Sequence, residues 1–443
     1  MTTHERPDPA PTLPVAQVQQ WLAPVTRFLH VEASSGVVLL ACTAIALATA
    51  NSPLAGWFFG LWKTPVSLSM GGFTLSGDLG HLVINDGLMT IFFFVVGLEV
   101  KREIMHGEFR DPMKALLPVF AALGGVLMPA AIFLALQWGE PGQRGWAIPM
   151  ATDIAFVVGL LALFGKRVPL GLKILLLSLA IVDDLVAVLI IALVFTEAIG
   201  WTWLGWAAGA FGLVYAFHRI GVRSVGVYVV LGAFIWLAFL QSGVHPTVAG
   251  VLLGLLTPAH AWIGQRSFAD VLKAAWQRAG GDDGDPHVTS AEAGRTQFAA
   301  REAVSPLQRL EDGLHPWVAF VIMPIFALAN AGVVLRPSSL GEPVAIAVAT
   351  ALALGKPAGI LLLCGLAVRF HVTSLPDGVT WAMLVGGACL AGVGFTMALF
   401  LNVLAFPVPE YAASEAAGKI GTLAGSVVSA ALGAVVLSYA LRR

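Results

Sequence analysis

Charge is scarce in this chain. Asp, Glu, Lys and Arg make up 12% of its 443 residues, against 58% apolar types. A soluble domain carries about twice that charge, so the composition excludes one and leaves a polytopic membrane protein. A net charge of −1 argues against nucleic-acid partners. Cysteine is scarce too. Cys42, Cys364 and Cys389 all lie in apolar runs, which excludes a disulfide framework and reads as buried free thiols. The N-terminus, polar and proline-rich up to Pro14, lacks a basic stretch followed by an apolar core, so no removable signal peptide is expected.

What the chain has is long apolar runs. Twelve candidate spans lie near Val37–Ala50, His81–Val100, Ala115–Leu136, Trp146–Phe164, Ile174–Phe195, Leu204–Phe217, Val225–Leu240, Thr247–Leu256, Trp317–Leu335, Val344–Val368, Trp381–Phe406 and Ile420–Leu441. The fold class is therefore an all-α membrane protein. It divides into an N-terminal segment (1–33), a first membrane block (34–257), a polar loop (258–314) and a second membrane block (315–443). Sorted by these spans, twenty Lys and Arg fall on the side of both termini and the polar loop. Four, at Lys63, Arg144, Arg336 and Lys419, fall on the other side. That bias predicts cytoplasmic termini, a cytoplasmic polar loop and an even number of spans.

Two stretches outside the spans stand out. Residues 65–75 read PVSLSMGGFTL, alternating runs around Gly71-Gly72 that predict a hairpin. A lone hairpin needs another surface to be stable. The centre of the polar loop, Ala279–Thr296, is poor in apolar residues and reads as partly disordered.

Four charged residues sit near the middle of predicted spans: Asp153, Asp183, Asp184 and Lys356. Facing lipid singly, they would cost roughly 10–14 kcal/mol in all. They must face each other, water or backbone dipoles. One lysine among three carboxylates leaves a surplus of negative charge that suits a small cation or protons. A static ion-pair network is the alternative, but buried pairs bring little net stability. Asp183 and Asp184 project about 100° apart on a helix, so their contacts differ.

Pro149 and Thr152 precede Asp153 in AIPMATDIAF, where proline predicts an interrupted helix. Gly386-Gly387 and the glycines Gly392 and Gly394 mark a second interruption. Two broken spans in the two halves of a carrier point to a substrate site, although glycines also serve close helix packing. Glu99 and Glu103 stand at helical spacing near the end of the second span, and His245 lies beside Pro246 at a span boundary. Glu311 precedes His315-Pro316-Trp317. Glu99, Glu103 and His245 are candidates for pH response, with a solvated helix end or a structural histidine as the plain alternative.

Together these residues resemble the NhaA family of bacterial sodium/proton antiporters. The resemblance runs through INDGLMTIFFFVVGLEVKRE, GWAIPMATDIAF, SLAIVDDL, SGVHPTVAG, LHPWVAF, FALANAGV, GKPAGI and GVGFTMALF, in the family's order from Asn85 to Asn402. It implies twelve helices, with the third to fifth and tenth to twelfth as inverted repeats. In that fold the fourth and eleventh helices are unwound and cross in mid-membrane. It implies that Asp183 and Asp184 bind the cation and protons, that Lys356 pairs with Asp183, and that Asp153 and Thr152 belong to the unwound helix. Glu103, His245 and Glu311 match positions linked to pH response, and the hairpin matches a homodimer contact. Two departures are a longer loop after the eighth span and Gln241, where a compared member has lysine before SGVH.

The expected activity is electrogenic exchange of cytoplasmic Na⁺ or Li⁺ for external H⁺, serving sodium and pH homeostasis. Na⁺ or Li⁺ and H⁺ are its substrates. No cofactor is expected, and the chain is read as a transporter, not an enzyme. Sodium-coupled symport of an organic anion is the alternative, but it needs a larger pocket with donors for the anion. An intramembrane aspartic protease would place its carboxylates in YD and GxGD motifs, whereas Val182 precedes Asp183 and the GVGF segment carries no aspartate.

Overall fold

The computed structural model describes residues 32–442 apart from 71–72, 197–198, 223, 280–285, 336–338, 340 and 408. Each of the twelve apolar stretches falls on a helix or on a bent pair of helices. The chain opens with α1 (Glu32–Ala50), which turns by 118° into the short α2 (Ala55–Trp62). Strands β1 (Pro65–Met70) and β2 (Phe73–Asp78) then pair antiparallel, from Pro65 opposite Asp78 to Met70 opposite Phe73. The expected Gly71-Gly72 turn lies outside the described residues, as does the N-terminal segment through residue 31.

The first membrane block continues with α3 (Leu79–His106), α4 (Pro112–Gln137), a 3₁₀ segment (Pro141–Met150), α5 (Ile154–Phe164) and α6 (Leu170–Val194). It closes with α7 (Trp201–Arg219), α8 (Val225–Ser242) and α9 (Thr247–Leu256). Next come α10 (Gln265–Ala279) and α11 (Pro286–Glu302), then α12 (Pro306–Asn330) and α13 (Pro343–Arg369). The broken pair α14 (Trp381–Ala391) and α15 (Phe395–Ala405) leads to α16 (Ala412–Ala440). Among the described residues, seven helices are long and apolar enough to cross a membrane, or ten if each bent pair is one span. α7 and the ten-residue α9 fall outside that set.

The structure differs from expectation at two places. The segment 258–314 is not a loose loop where it is described. α10 and α11 occupy most of it, with Ala299 buried and the buried Glu292 held by Arg278 at 2.9 Å and Arg295 at 3.0 Å. The polar composition that suggested disorder at 286–296 is that of a solvated helix tied by ion pairs. The ninth span also begins earlier than expected. Ser305 accepts a hydrogen bond from Gln308 N–H, and Pro306 fits the first turn, so α12 starts well ahead of Trp317.

Close helix packing sets the scaffold. A Cβ on Gly124 of α4 would stand 2.1 Å from the Gly359 carbonyl oxygen of α13, and the reverse contact would be 2.0 Å. Only glycine lets these two backbones approach so closely. Their contact carries Lys356, whose Cε lies 3.4 Å from where a Gly125 side chain would begin. The outer surface keeps apolar side chains such as Leu163 and Leu193 exposed, which suits lipid and not water.

Candidate functional site

Two helix breaks meet at the centre. In the first, the 3₁₀ segment ends at Met150, Ala151 and Asp153 are extended, and α5 resumes at Ile154, bent by 42°. In the second, α14 ends at Ala391, and α15 resumes at Phe395 after Gly392-Val393-Gly394, bent by 43°. The breaks bond to each other. Asp153 N–H donates to Val393 O at 2.8 Å, and Thr152 Oγ1 lies 3.0 Å from Ala391 O. The second break needs its glycines for space. A Cβ on Gly392 would stand 2.5 Å from Leu352 O and 2.6 Å from Ser429 Oγ, and one on Gly394 would meet Ala151 O at 3.0 Å.

The breaks sort charge by helix end. A helix N-terminus presents unpaired N–H groups and partial positive charge, and a C-terminus the opposite. Asp153 serves two N-termini. Its Oδ1 accepts from Phe156 N–H at 3.2 Å in α5. Its Oδ2 accepts from Thr396 N–H at 3.1 Å and from the Thr396 hydroxyl in α15. Lys356 serves a C-terminal end by donating to Met150 O. Lys356 follows directly on a π-helical turn, Ala351–Gly355, a widened winding of the kind that aims a side chain at a site.

Asp183 and Asp184 reach the same region from α6. Asp183 Oδ2 pairs with Lys356 Nζ at 2.8 Å and accepts from Thr152 Oγ1 at 2.7 Å. Both members of the ion pair are fully buried. Asp184 is 1% exposed. Oδ1 of Asp183 and Oδ1 of Asp184 are both buried with no hydrogen-bond partner. A buried carboxylate oxygen without a donor is costly, and it is a ready ligand for a hard cation or a proton. Two such oxygens on adjacent residues, next to one lysine, supply a site that one small monovalent cation or protons can satisfy.

The sequence-level candidates therefore divide by place. Asp153, Thr152, Asp183, Asp184 and Lys356 converge, with Pro149, Gly392 and Gly394 shaping the breaks. The pH-response candidates do not join them as one group. Arg102 near the end of α3 binds Glu311 of α12 and lies 3.6 Å from Glu103. Glu99 stands about one turn from Glu103 on the same helix. His245 lies near the other end of α3, beside Asp86, about 26 Å along the helix from Glu103 at 1.5 Å per residue.

Comparison with known proteins covers nearly the whole chain. Residues 26–437 match the family model described as Na+/H+ antiporter 1. The chain belongs to the NhaA family of Na⁺/H⁺ antiporters. It is 48% identical to the Na(+)/H(+) antiporter NhaA of Rhodopirellula baltica, over 97% of both chains. It is 48% identical to the Na(+)/H(+) antiporter NhaA 2 of Sorangium cellulosum, over 97% of this chain and 93% of that one. For the NhaA of Rhizobium meliloti the identity is 45%, over 96% and 97%.

Within this NhaA-family chain, sequence reasoning missed three contributors. Thr396 supplies two hydrogen bonds to Asp153. Its signal was available, since it follows the glycine break where a helix must restart. Ser426 of α16 accepts from Phe395 N–H at 3.2 Å and so caps α15 from a neighbouring helix. Met150 acts through its carbonyl. Neither of the last two has a sequence signal, because one is a small residue in an apolar helix and the other uses only backbone.

Proposed function

We propose that the chain is a secondary transporter, not an enzyme, that exchanges cytoplasmic Na⁺ or Li⁺ for external H⁺. The observation that carries this reading is the pair of unpartnered buried oxygens on Asp183 and Asp184 beside Lys356. Sodium and protons compete for the two aspartates. Thr152 and Lys356 hold Asp183 in place, and Asp153 locks the two breaks together. A carrier that moved an organic anion would need donors for it, and Lys356 is already engaged by Asp183 and Met150. The symport alternative is not favoured.

The same reading supplies the finer architecture. The ten spans counted with bent pairs, together with α7 and α9, make twelve. The third to fifth and the tenth to twelfth form inverted repeats, and the two broken helices are the unwound pair at their interface. These repeats rock against the remaining helices around the site, which alternates its access. The charge asymmetry supports an inner-membrane chain with cytoplasmic termini. The exposed hairpin, with Leu68 66% exposed, supports a homodimer formed through 65–75. Glu99, Glu103, Glu311 and His245 adjust the response to pH from outside the ion site.

The test is sodium-driven proton movement in everted membrane vesicles. Wild-type protein is expected to collapse an imposed pH gradient when sodium is added, and Asp184→Asn is expected to leave it intact. Absence of a sodium response in wild-type vesicles between pH 6.5 and 9, spanning the range around neutral where histidines titrate, would refute the reading.

A further inference from the structure

A carboxylate stands between two imidazoles at the hairpin end of α3, away from the central cluster. His81 Nδ1 lies 3.2 Å from Asp86 Oδ2, and His245 Nε2 lies 3.5 Å from Asp86 Oδ1. The winding of α3 makes the first contact. In an α-helix, residues five apart stand about 140° apart around the axis. Over Leu79–Leu88 the helix is π-wound, with Met89 N–H bonded to Ile84 O, so residue i+5 comes beneath residue i. Such turns gather at functional sites. Two neighbours fix the arrangement. Asp78 accepts from His81 N–H at 2.6 Å, and Trp236 of α8 donates to Asp86 O at 3.0 Å.

The two imidazoles differ in access. The His81 side chain is 52% exposed and that of His245 is 11% exposed. His81 and Asp86 line a cavity of about 370 Å³, together with Asp78 and Gln241. His245 turns Nδ1 toward Thr247 Oγ1 at 2.7 Å. Its Nε2 is buried without a hydrogen-bond partner and faces Asp86. The charged and titratable groups around the trio come from β2 (Asp78), α3 (His81, Asp86) and the start of α9 (His245). They form an ordered series from the open cavity inward.

We propose that His81 and Asp86 load protons from the hairpin side for the exchange, with His245 positioning the Asp86 carboxylate. The proposal rests on the antiport reading. A proton taken up from the cavity by His81 passes from Nδ1 to Asp86 Oδ2, leaving a neutral imidazole and a carboxylic acid. His245 faces the other carboxyl oxygen: its Nδ1 accepts from Thr247 N–H at 3.4 Å, so the ring turns Nε2–H toward Asp86 Oδ1 and holds the carboxyl in place.

The test uses full-length protein in right-side-out vesicles, with proton uptake from the hairpin side followed as the external pH is scanned. His81→Ala is expected to move the rise of maximal rate acidward by about one pH unit, a tenfold higher proton concentration, with the sodium KM unchanged. Imidazole added as a small mobile buffer at constant pH is expected to restore the rate, because it replaces the missing proton carrier. Loss of a merely structural anchor would not respond to it. If the alanine variant inserts poorly, His81→Gln keeps a side chain of similar reach and serves instead. A rate equal to wild type across the scan, or a loss that imidazole leaves untouched, overturns the proposal. Wild-type protein that moves no protons in response to sodium overturns the antiport reading, and this proposal with it.

Discussion

The centre of the protein and the loop-side end of α3 hold the same kinds of side chain under opposite conditions. In the centre, Asp183 and Lys356 are fully buried. At the end of α3, Arg102 is 44% exposed and its partner Glu311 is 9% exposed. Water can replace a lost partner at the rim, where exposed ion pairs contribute about 0–1 kcal/mol. In the centre nothing replaces it, so every oxygen must be answered by a helix end, a hydroxyl, the lysine or a transported ion. Under the proposed reading, this difference puts the chemistry at the centre and the adjustment at the rim. It also ranks the variants that test the assignment.

The largest effect belongs to the aspartates. Asp184→Asn keeps the shape and removes the charge, so sodium-driven proton movement is expected to vanish while membrane insertion persists. Asp183→Asn is expected to be nearly as severe for transport, with a greater loss of thermal stability, because Lys356 then loses its carboxylate. Vesicle assays and melting in detergent separate the two. Exchange by Asp184→Asn near the wild-type rate would remove Asp184 as the carrier.

Next comes the lysine. Lys356→Ala leaves Asp183 buried without its cation, at an expected cost of about 3–5 kcal/mol. Removing both partners, as Asp183→Asn with Lys356→Met, is expected to recover part of that loss, since no buried charge is left unanswered. An unchanged melting temperature for Lys356→Ala would contradict the pair as a determinant of the fold.

Away from both clusters, deleting Ser67 to Thr74 is expected to lower the dimer fraction while each protomer keeps its transport rate. Equal cross-linking before and after the deletion would count against the hairpin as the contact.

The centre was the legible part of this sequence, and for a physical reason. A charge inside an apolar run has so high a cost that Asp153, Asp183, Asp184 and Lys356 announced themselves, and Pro149 and the glycines located the breaks. The helices were legible as apolar runs. What the runs did not reveal is direction in space: that α1 and α2 turn by 118°, or that His81 stacks over Asp86 through a π-turn. Polar composition misled at 286–296, where ion pairs on Glu292 take the place of an apolar core. Ser426 and Met150 act through positions that no residue type marks.

The smallest expected effect concerns the rim, and it separates the two regions kinetically. If sodium and protons share Asp183 and Asp184, sodium must displace a proton wherever the pair is protonated. With one competing proton, the apparent sodium KM then falls by up to roughly tenfold per unit rise in pH, since one unit is worth about 1.36 kcal/mol per proton. It levels off once the pair is deprotonated. The maximal rate at saturating sodium stays nearly constant through this change. A rim group acts differently, because it touches no transported ion. Glu311→Gln weakens the hold of Arg102 on α12 and is expected to shift the pH at which the maximal rate rises, while leaving the KM slope as it is. Measuring both parameters in wild type and in Glu311→Gln between pH 6.5 and 9, a window placed around the histidine range, tests the division. A wild-type KM that stays flat, with the whole pH effect in the maximal rate, would rule out competition at the aspartates and move pH control to the rim.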